Sequence, residues 1–193
     1  MEPSTSHPLL GLDSSYNTSE ATFNQVLFKG GCIYQHNILH INYTTYNLNH
    51  GQDTFNSNSN HHDIMMLAGR HEEDPDMASD HFYYAHIIGI YHANMQYIGL
   101  GLKDYHTHQL DFLHIQWFEL VLPNANCGGV LLNMLWLVPV NNEDAFSFVD
   151  PMEVQRGCHL IPAFAKGRLD PSGAAPSSVS QDANAWRYYY VNK

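Results

Sequence analysis

Residues 81–97, HFYYAHIIGIYHANMQY, decide the fold. Aromatic and β-branched side chains dominate this run, and such side chains favour strands. Gly89 interrupts it, and a glycine inside a strand pattern is typical of a bulge or a sharp bend. The run therefore predicts a long, bent strand. After a turn-like segment at 99–108, residues 110–121, LDFLHIQWFELV, alternate imperfectly with period two, so we expect a second strand that pairs with the first.

Working outward, the same composition predicts four further strands, at 38–46, 130–140, 157–164 and 186–191. At 130–140 the apolar run is nearly continuous, and periodicity alone leaves a helix open there. The segments between these strands are predicted to be loops, because Asn, Ser, Gly, Pro or charged residues crowd them: 47–60, 71–80 and 166–185.

One short helical turn is expected at Asp150-Pro151-Met152-Glu153. An Asp at the N-cap, a Pro at the first helical position and a Glu at the third all suit the start of a helix. Together these elements predict a mainly β fold, a small curved sheet or SH3-like barrel with one helical turn and long loops. We expect a single domain at 22–193, preceded by a disordered Ser-, Thr- and Pro-rich tail at 1–21.

Charge limits the possible partners. The chain of 193 residues has 8 Lys and Arg against 19 Asp and Glu, a net charge of -11. Proteins that hold a nucleic-acid backbone unaided show a basic face, so weak or no nucleic-acid binding is expected. The net charge of +3 in residues 154–193 is the only local excess of cations. With no apolar run long enough for a membrane span and no signal-like start, we expect no membrane contact and an intracellular protein with reduced thiols.

Fourteen histidines raise the question of a metal site. His106-Thr107-His108 has the spacing that places two rings on one strand face, and His61-His62 with Asp63 could add ligands from a loop. No third or fourth ligand follows at a recognisable interval. A carboxylate site is also conceivable from Asp53, Asp63, Asp111 and Asp150, although any acidic chain offers such sets. No metal ligand is therefore assigned, and surface or hydrogen-bonded histidines are the simpler interpretation.

Other candidate sites carry equally little information. Cys158 and His159 are adjacent, and adjacent strand residues point to opposite faces, which argues against a catalytic pair. Gly99-Leu100-Gly101 is too short to cradle a phosphate. Trp117-Phe118 and the three tyrosines at 188–190 could stack on a ligand, but aromatic strand residues are more often core. We assign no catalytic, cofactor-binding or metal-binding residue and expect no cofactor and no enzymatic activity.

Five segments resemble a known family. ILHINYTTY at 38–46, YAHIIGIYH at 84–92, DFLHIQWF at 111–118, FVDPMEVQRGCHLIPAF at 148–164 and WRYYYVN at 186–192 are similar, in order, to the C-terminal region of uncharacterised proteins associated with Plavaka-type transposons of the CACTA group in mushroom-forming fungi. The resemblance implies that the catalytic nuclease core lies upstream of this region. The chain then corresponds to an accessory module that is truncated at its C-terminal end, and its location would be nuclear, or otherwise cytoplasmic.

The sequence departs from that family in one direction. Where the family tends to have Arg, Asp or Val, other residues stand here that single C-to-T or G-to-A changes produce: His40, His50, His86, His108, Gln109, Gln116, Trp136, Asn47, Asn133, Ile88 and Met95. We therefore expect a mutationally decayed copy. The predicted function is a non-enzymatic interaction module that contacts other parts of a transposase or another protein. The alternative is a small metal-dependent hydrolase that uses a His and carboxylate cluster.

Overall fold

The computed structural model describes residues 26–44, 50–59, 61–67, 82–98, 104–121, 133–169 and 186–192. These ranges contain eleven strands: β1 Val26–His36, β2 Ile38–Thr44, β3 His50–Asn56, β4 Asp63–Leu67, β5 Phe82–Tyr97, β6 Asp104–Val121, β7 Met134–Leu137, β8 Phe146–Val149, β9 Val154–Gly157, β10 His159–Pro162 and β11 Tyr189–Asn192. The predicted tail at 1–21, the loop at 71–80 and most of the loop at 166–185 lie outside the described residues.

The antiparallel pair β5–β6 is the centre of the molecule. It runs from Tyr84 opposite Phe118 to Tyr97 opposite Asp104, and its register shifts between Ile87 and Gly89. The predicted long strand, its irregularity at the glycine and its pairing with the second strand are confirmed. The turn-like interpretation of 99–108 is wrong for residues 104–108, which belong to β6. Their polar side chains are compatible with a strand because pairing with β5 satisfies the backbone.

The main sheet curves into a nearly closed barrel. Its strand order is β10-β11-β7-β6-β5-β4-β9, with β1 paired to β5 and β8 paired to β6. β9 lies at one end of this order and β10 at the other, yet Cys158 alone separates them in the chain. The chain itself therefore connects the two ends of the sheet. The predicted fold class, a mainly β curved sheet or barrel, is confirmed.

Two apolar clusters pack against the main sheet, and the neighbours Tyr84 and Ala85 in β5 belong to different clusters, so the clusters lie on opposite faces of that strand. The first contains side chains from β3, β4, β5, β6, β8 and β9, among them Ile87, Ile115 and Val149, and Trp117 packs against it, partly buried. The second contains Tyr84, Phe118 and side chains from β7, β10 and β11. Burying each large apolar side chain contributes about 1.5–3 kcal/mol, so the barrel has its own source of stability. From sequence we also expect the apolar strands centred on Ile87, Ile115, Val149 and Tyr189 to pack together in one curved sheet, and this is confirmed.

The predicted loop at 47–60 is wrong for residues 50–56, because β3 occupies His50–Asn56 and forms a separate two-stranded sheet with β2. Residues 57–59 form a turn, and residues 47–49 and 60 lie outside the described residues. Asn, Ser and Gly disfavour strands in isolation, but tertiary pairing overrides that preference here. Gln52 donates a hydrogen bond to Asn42 across the pair, and Phe55 is buried in the first apolar cluster. The strand predicted at 38–46 is confirmed over Ile38–Thr44. Sequence reasoning also missed β1 and β9.

The remaining predicted strands and the predicted helical turn are found with changed bounds: β10 lies within 157–164, and β11 overlaps 186–191 and ends at Asn192. Pro151–Glu153 forms a single 3-10 turn, and the Asp150 carboxylate accepts from the Met152 N–H at 2.8 Å. Two further single turns lie at Glu143–Ala145 and Phe164–Lys166. The run at 130–140 contains a strand, β7, rather than a helix over its described part. Within the ranges described above, no helix has the length and apolar character needed to cross a membrane.

Candidate functional site

A three-stranded ribbon projects from the barrel. It consists of β1, residues 91–97 of β5 and residues 104–112 of β6. All eleven residues of β1 are exposed, and so are residues 105–111 of β6. The barrel halves of β5 and β6, residues 82–90 and 113–121, are buried or partly buried except for Leu120. The ribbon therefore has the backbone pairing of a sheet without a covering layer.

The ribbon exposes apolar side chains on a weakly charged strand. Ile33 lies opposite Ala93, which lies opposite Leu110, and residues opposite one another share a face. Ile33 is 61% exposed and Leu110 41% exposed, while the small Ala93 between them is buried. Lys29 is the one charged side chain of Lys, Arg, Asp or Glu type in β1. This row is an apolar surface with few charges to repel a partner.

Among the described residues, β1 pairs with β5 alone. No other described strand pairs with the outer edge of β1. Gly30 and Gly31 adopt positive φ values of 74° and 60°, and the register shifts between Phe28 and Ile33. Glycine adopts this region without the steric cost that other residues incur. The bulge divides β1 into two short pairing segments, one on each side of the glycines.

Aromatic rings line the outer face where the ribbon meets the barrel. Tyr91 stacks on Phe112, with ring centroids 5.6 Å apart, and Phe112 meets Phe148 edge to face at 5.7 Å. His114 stacks on Phe148 at 5.0 Å. Burial among these groups lowers the pKa of His114 below its ordinary value. Phe148 is 67% exposed, so the aromatic group continues the apolar surface of the ribbon.

A second ring cluster occupies the opposite face of the ribbon. His92 lies between Tyr34, at a centroid distance of 4.7 Å, and His36, at 4.8 Å. The His36 Nε2 and His92 Nδ1 atoms are 2.5 Å apart. Such a contact requires one imidazole to donate and the other to accept. These rings attach the end of β1 to β5.

A compact group of potential metal ligands lies at the start of β4. His62, Asp63 and His86 each offer a ligand atom, and these atoms all lie within 4.8 Å of one another. His86 Nδ1 is 3.0 Å from Asp63 Oδ1, and His62 Nε2 is 4.0 Å from the same oxygen. His62 and Asp63, which were considered from the sequence but not assigned as ligands, are thus joined by a third potential ligand from β5. Sequence spacing missed His86 because only the pairing of β4 with β5 places it opposite Asp63.

The four carboxylates considered from sequence have separate partners. The Asp53 carboxylate accepts from the Gly157 N–H at 2.8 Å and lies 3.7 Å from Arg156. Asp111 accepts from the Gln109 amide at 2.8 Å, Asp150 caps the 3-10 turn and Asp63 faces His86. They do not form one carboxylate site.

The remaining sequence candidates lie apart from the His62–Asp63–His86 group. His61 is exposed, and His106 and His108 lie on the exposed part of β6. Cys158 packs against the second apolar cluster, and burial is the largest cause that raises the pKa of its thiol, with the Asp63 charge adding to it. Its neighbour His159 is exposed.

The aromatic candidates follow the core interpretation only in part. Phe118 is buried in the second cluster, Tyr189 packs against that cluster, and Trp117 packs against the first. Tyr188 and Tyr190 are partly buried. Phe112, Phe146 and Phe148 on the outer face were not singled out from sequence. The sequence signal that could have found them is the spacing of Phe146 and Phe148, because residues two positions apart in a strand lie on the same face.

Comparison of the chain with protein-family models, with curated proteins and with solved structures gives no match.

Proposed function

We propose that the chain is a non-enzymatic interaction module whose docking element is the ribbon. The observation that carries the proposal is the contrast in coverage along β6, whose barrel half contains four buried residues, whereas its residues 105–111 are all exposed. β1 is exposed over its whole length, and the ribbon half of β5 between them buries only Ala93. Exposed apolar surface on a paired sheet is typical of a protein interaction site. A catalytic role would not require such a surface.

The partner that fits is an extended segment of another polypeptide. An edge strand can accept a further strand through main-chain hydrogen bonds, while side chains such as Ile33 and Leu27 supply apolar contacts. Natural edge strands discourage this pairing with charges or prolines, and β1 has no proline and only Lys29. A nucleic-acid partner is disfavoured by the net charge of -11.

The sequence resemblance gives this module a context. In that context the chain is the accessory C-terminal module of a Plavaka-type transposon-associated protein, it contacts the part of the transposase that carries the nuclease core, and it acts in the nucleus. Its histidines would then be remnants of arginine codons in a decayed copy. The five segments quoted above support this proposal through their order along the chain.

The positions of the altered residues bear on whether ancestral arginines there could have formed one phosphate-binding surface. His40, His108 and Gln109 are exposed, whereas Gln116 is only 1% exposed. An arginine in place of His86 would face the Asp63 carboxylate, which lies 3.0 Å from the His86 ring. These positions do not share one surface, so they would not have formed a single phosphate-binding face. An ion pair with Asp63 is the better-supported role for an ancestral arginine at position 86.

The test uses peptides that tile intact relatives of the proposed family. The full chain is labelled and its binding to each immobilised peptide is measured. We expect a peptide of extended, apolar character to bind, and we expect the double substitution Leu27→Lys/Ile33→Lys to abolish that binding because two edge lysines oppose strand addition. Leu120→Lys is the matched control, because Leu120 is an exposed apolar residue of β6 in the barrel.

Binding that survives the double substitution, or that Leu120→Lys abolishes equally, would contradict a docking role for β1. The absence of binding to every tile would reject the transposase partner. Sedimentation of the same samples detects self-association, which would indicate that a second copy of the chain, and not a different polypeptide, covers the ribbon.

A further inference from the structure

We propose that His62, Asp63 and His86 bind one divalent transition-metal ion of the zinc class. Two imidazoles and one carboxylate are a ligand set that such ions accept, and calcium or magnesium would prefer oxygen ligands alone. The inference concerns metal binding and goes beyond the proposed docking function, because the three residues lie in the barrel at β4 and β5 rather than in the ribbon.

The separations of the ligand atoms fit a common ion. Zinc bonds to nitrogen and oxygen are about 2.0–2.2 Å long, which in a tetrahedral site places two ligand atoms about 3.3 Å apart. The Asp63 Oδ1 atom lies 3.0 Å from His86 Nδ1 and 4.0 Å from His62 Nε2. These two distances bracket the tetrahedral value. The two rings lie closer together than rings that share a tetrahedral ion, with centroids 3.6 Å apart and planes inclined at 54°. One ring must therefore rotate before nitrogens of both face the ion.

The backbone holds the three residues in place. The His62 carbonyl accepts from the Ile87 N–H at 2.8 Å, and Asp63 pairs with His86 across β4 and β5. The Asp63 carbonyl accepts from the Cys158 N–H at 3.1 Å, which joins this point to the connection between β9 and β10. Ligands fixed in this way lose little conformational freedom when an ion binds. The ion would therefore clamp β4 to β5 close to the point where the barrel closes.

Partial burial strengthens the case. The side chains of His62, Asp63 and His86 are 17%, 13% and 13% exposed. A carboxylate in such a site gains more from a cation than an exposed one does, because solvent screening is weaker there. The remaining exposure leaves room for a water molecule to complete the coordination. Without metal, the His86 imidazole would instead donate a hydrogen bond to the Asp63 carboxylate.

The test starts from the full chain freed of metal with a chelator and titrates it with Co²⁺, whose visible absorption reports coordination geometry, and then with Zn²⁺ in competition. We expect one equivalent to bind and to raise the melting temperature by about 5–10 °C when the free ion exceeds its dissociation constant about 100-fold. Loss of an outer-shell partner weakens metal affinity about 10–100-fold, so His62→Ala, His86→Ala and Asp63→Ala should each weaken it by at least about 100-fold.

Two control variants address the other histidines. His61→Ala removes the exposed neighbour, and His106→Ala/His108→Ala removes a pair on the ribbon; both should bind Co²⁺ like the parent chain. Circular dichroism without metal establishes that each variant folds. If a ligand variant does not fold, histidine NMR signals of the parent chain during the titration decide the matter: shifts confined to His62 and His86 support the site. Absence of stoichiometric binding, unaltered affinity in folded ligand variants, or binding lost in the controls would overturn the proposal.

Discussion

β5 and β6 each have a half in the barrel and a half in the ribbon. The two halves can be compared because the strand is the same and the burial of its side chains differs. In the barrel half, Ile87 and Ile115 face each other and are fully buried. In the ribbon half, Ala93 pairs with Leu110, which is exposed, and β1 adds Ile33 to the same row. Backbone pairing is continuous across both halves apart from the register shifts. Strand pairing therefore does not require a core, and on the proposed function the barrel supplies stability and the ribbon supplies recognition.

The largest expected difference in the free energy of unfolding is between two isoleucine substitutions, one in the barrel and one in the ribbon. Ile115→Ala removes a fully buried side chain from the first apolar cluster and should lower the free energy of unfolding by about 2–5 kcal/mol. Ile33→Ala removes the same groups from an exposed position and should change it by no more than about 0.5 kcal/mol. Urea unfolding of both variants measures the difference. Equal losses would mean that the ribbon is part of the core.

The next effect contrasts two arginine reversions. Gln116 is 1% exposed, and its amide donates to the Val138 carbonyl at 3.0 Å. Gln116→Arg would bury a cation with five N–H groups beside that single carbonyl, so we expect a loss of about 3 kcal/mol or more. His108→Arg on the exposed part of β6 should be nearly neutral. Thermal unfolding compares them; a Gln116→Arg variant as stable as the parent chain would indicate an accommodating partner and favour the decay hypothesis.

Two glycines provide a smaller contrast. A Cβ at Gly89 would overlap the ring of Tyr91, which must then move away from Phe112 on the outer face, so Gly89→Ala should cost about 1–3 kcal/mol. A Cβ at Gly30 would meet no heavy atom within 4 Å, and its cost comes only from a φ of 74°. Gly30→Ala should cost about 1–2 kcal/mol locally. Because β1 is exposed and contributes to neither apolar cluster, we expect it to open before the barrel unfolds. Global unfolding should then show less of that cost than amide exchange in β1 does.

The smallest expected effect is a pH dependence at the junction of the two regions. Burial lowers the pKa of His114 in the folded chain below the ordinary value of 6.5, so the unfolded chain takes up this proton first as the pH falls. The free energy of unfolding should therefore decrease as the pH falls through about 6.5 and level off below the folded-state pKa. His114→Phe should flatten this part of the profile. An unchanged profile in the variant would show that His114 is not its source.

Sequence reasoning performed best where side-chain pattern and structure coincide. The aromatic and β-branched run at 81–97, its glycine and its partner strand were all predictable, because local preference, periodicity and burial agree there. The Asp150 cap was predictable because it depends on neighbouring residues alone. β1 and β3 were missed because their residues lack a buried face or prefer turns, and their pairing with β5 and β2 supplies what the local sequence does not.

The candidate sites likewise depend on long-range strand pairing that the local sequence does not predict. His62 and Asp63 were noticed as adjacent residues, but His86 stands 23 positions from Asp63 in the chain. Only the register of β4 against β5 brings the three together. The docking ribbon was not predictable either, because a strand exposed on both faces has no distinctive period. Long-range pairing, which spacing does not encode, decides both features.

Hydrogen exchange along β5 tests the central claim most directly, because one strand samples both regions in the same experiment. The account predicts slow exchange at residues 84–90, close to the limit set by global unfolding, and much faster exchange at residues 91–97 and in β1, because little apolar surface protects them. Binding of a partner segment should then slow exchange in the ribbon alone. Equal protection along the whole of β5 in the free chain would contradict the division into a self-sufficient barrel and a ribbon that lacks its cover.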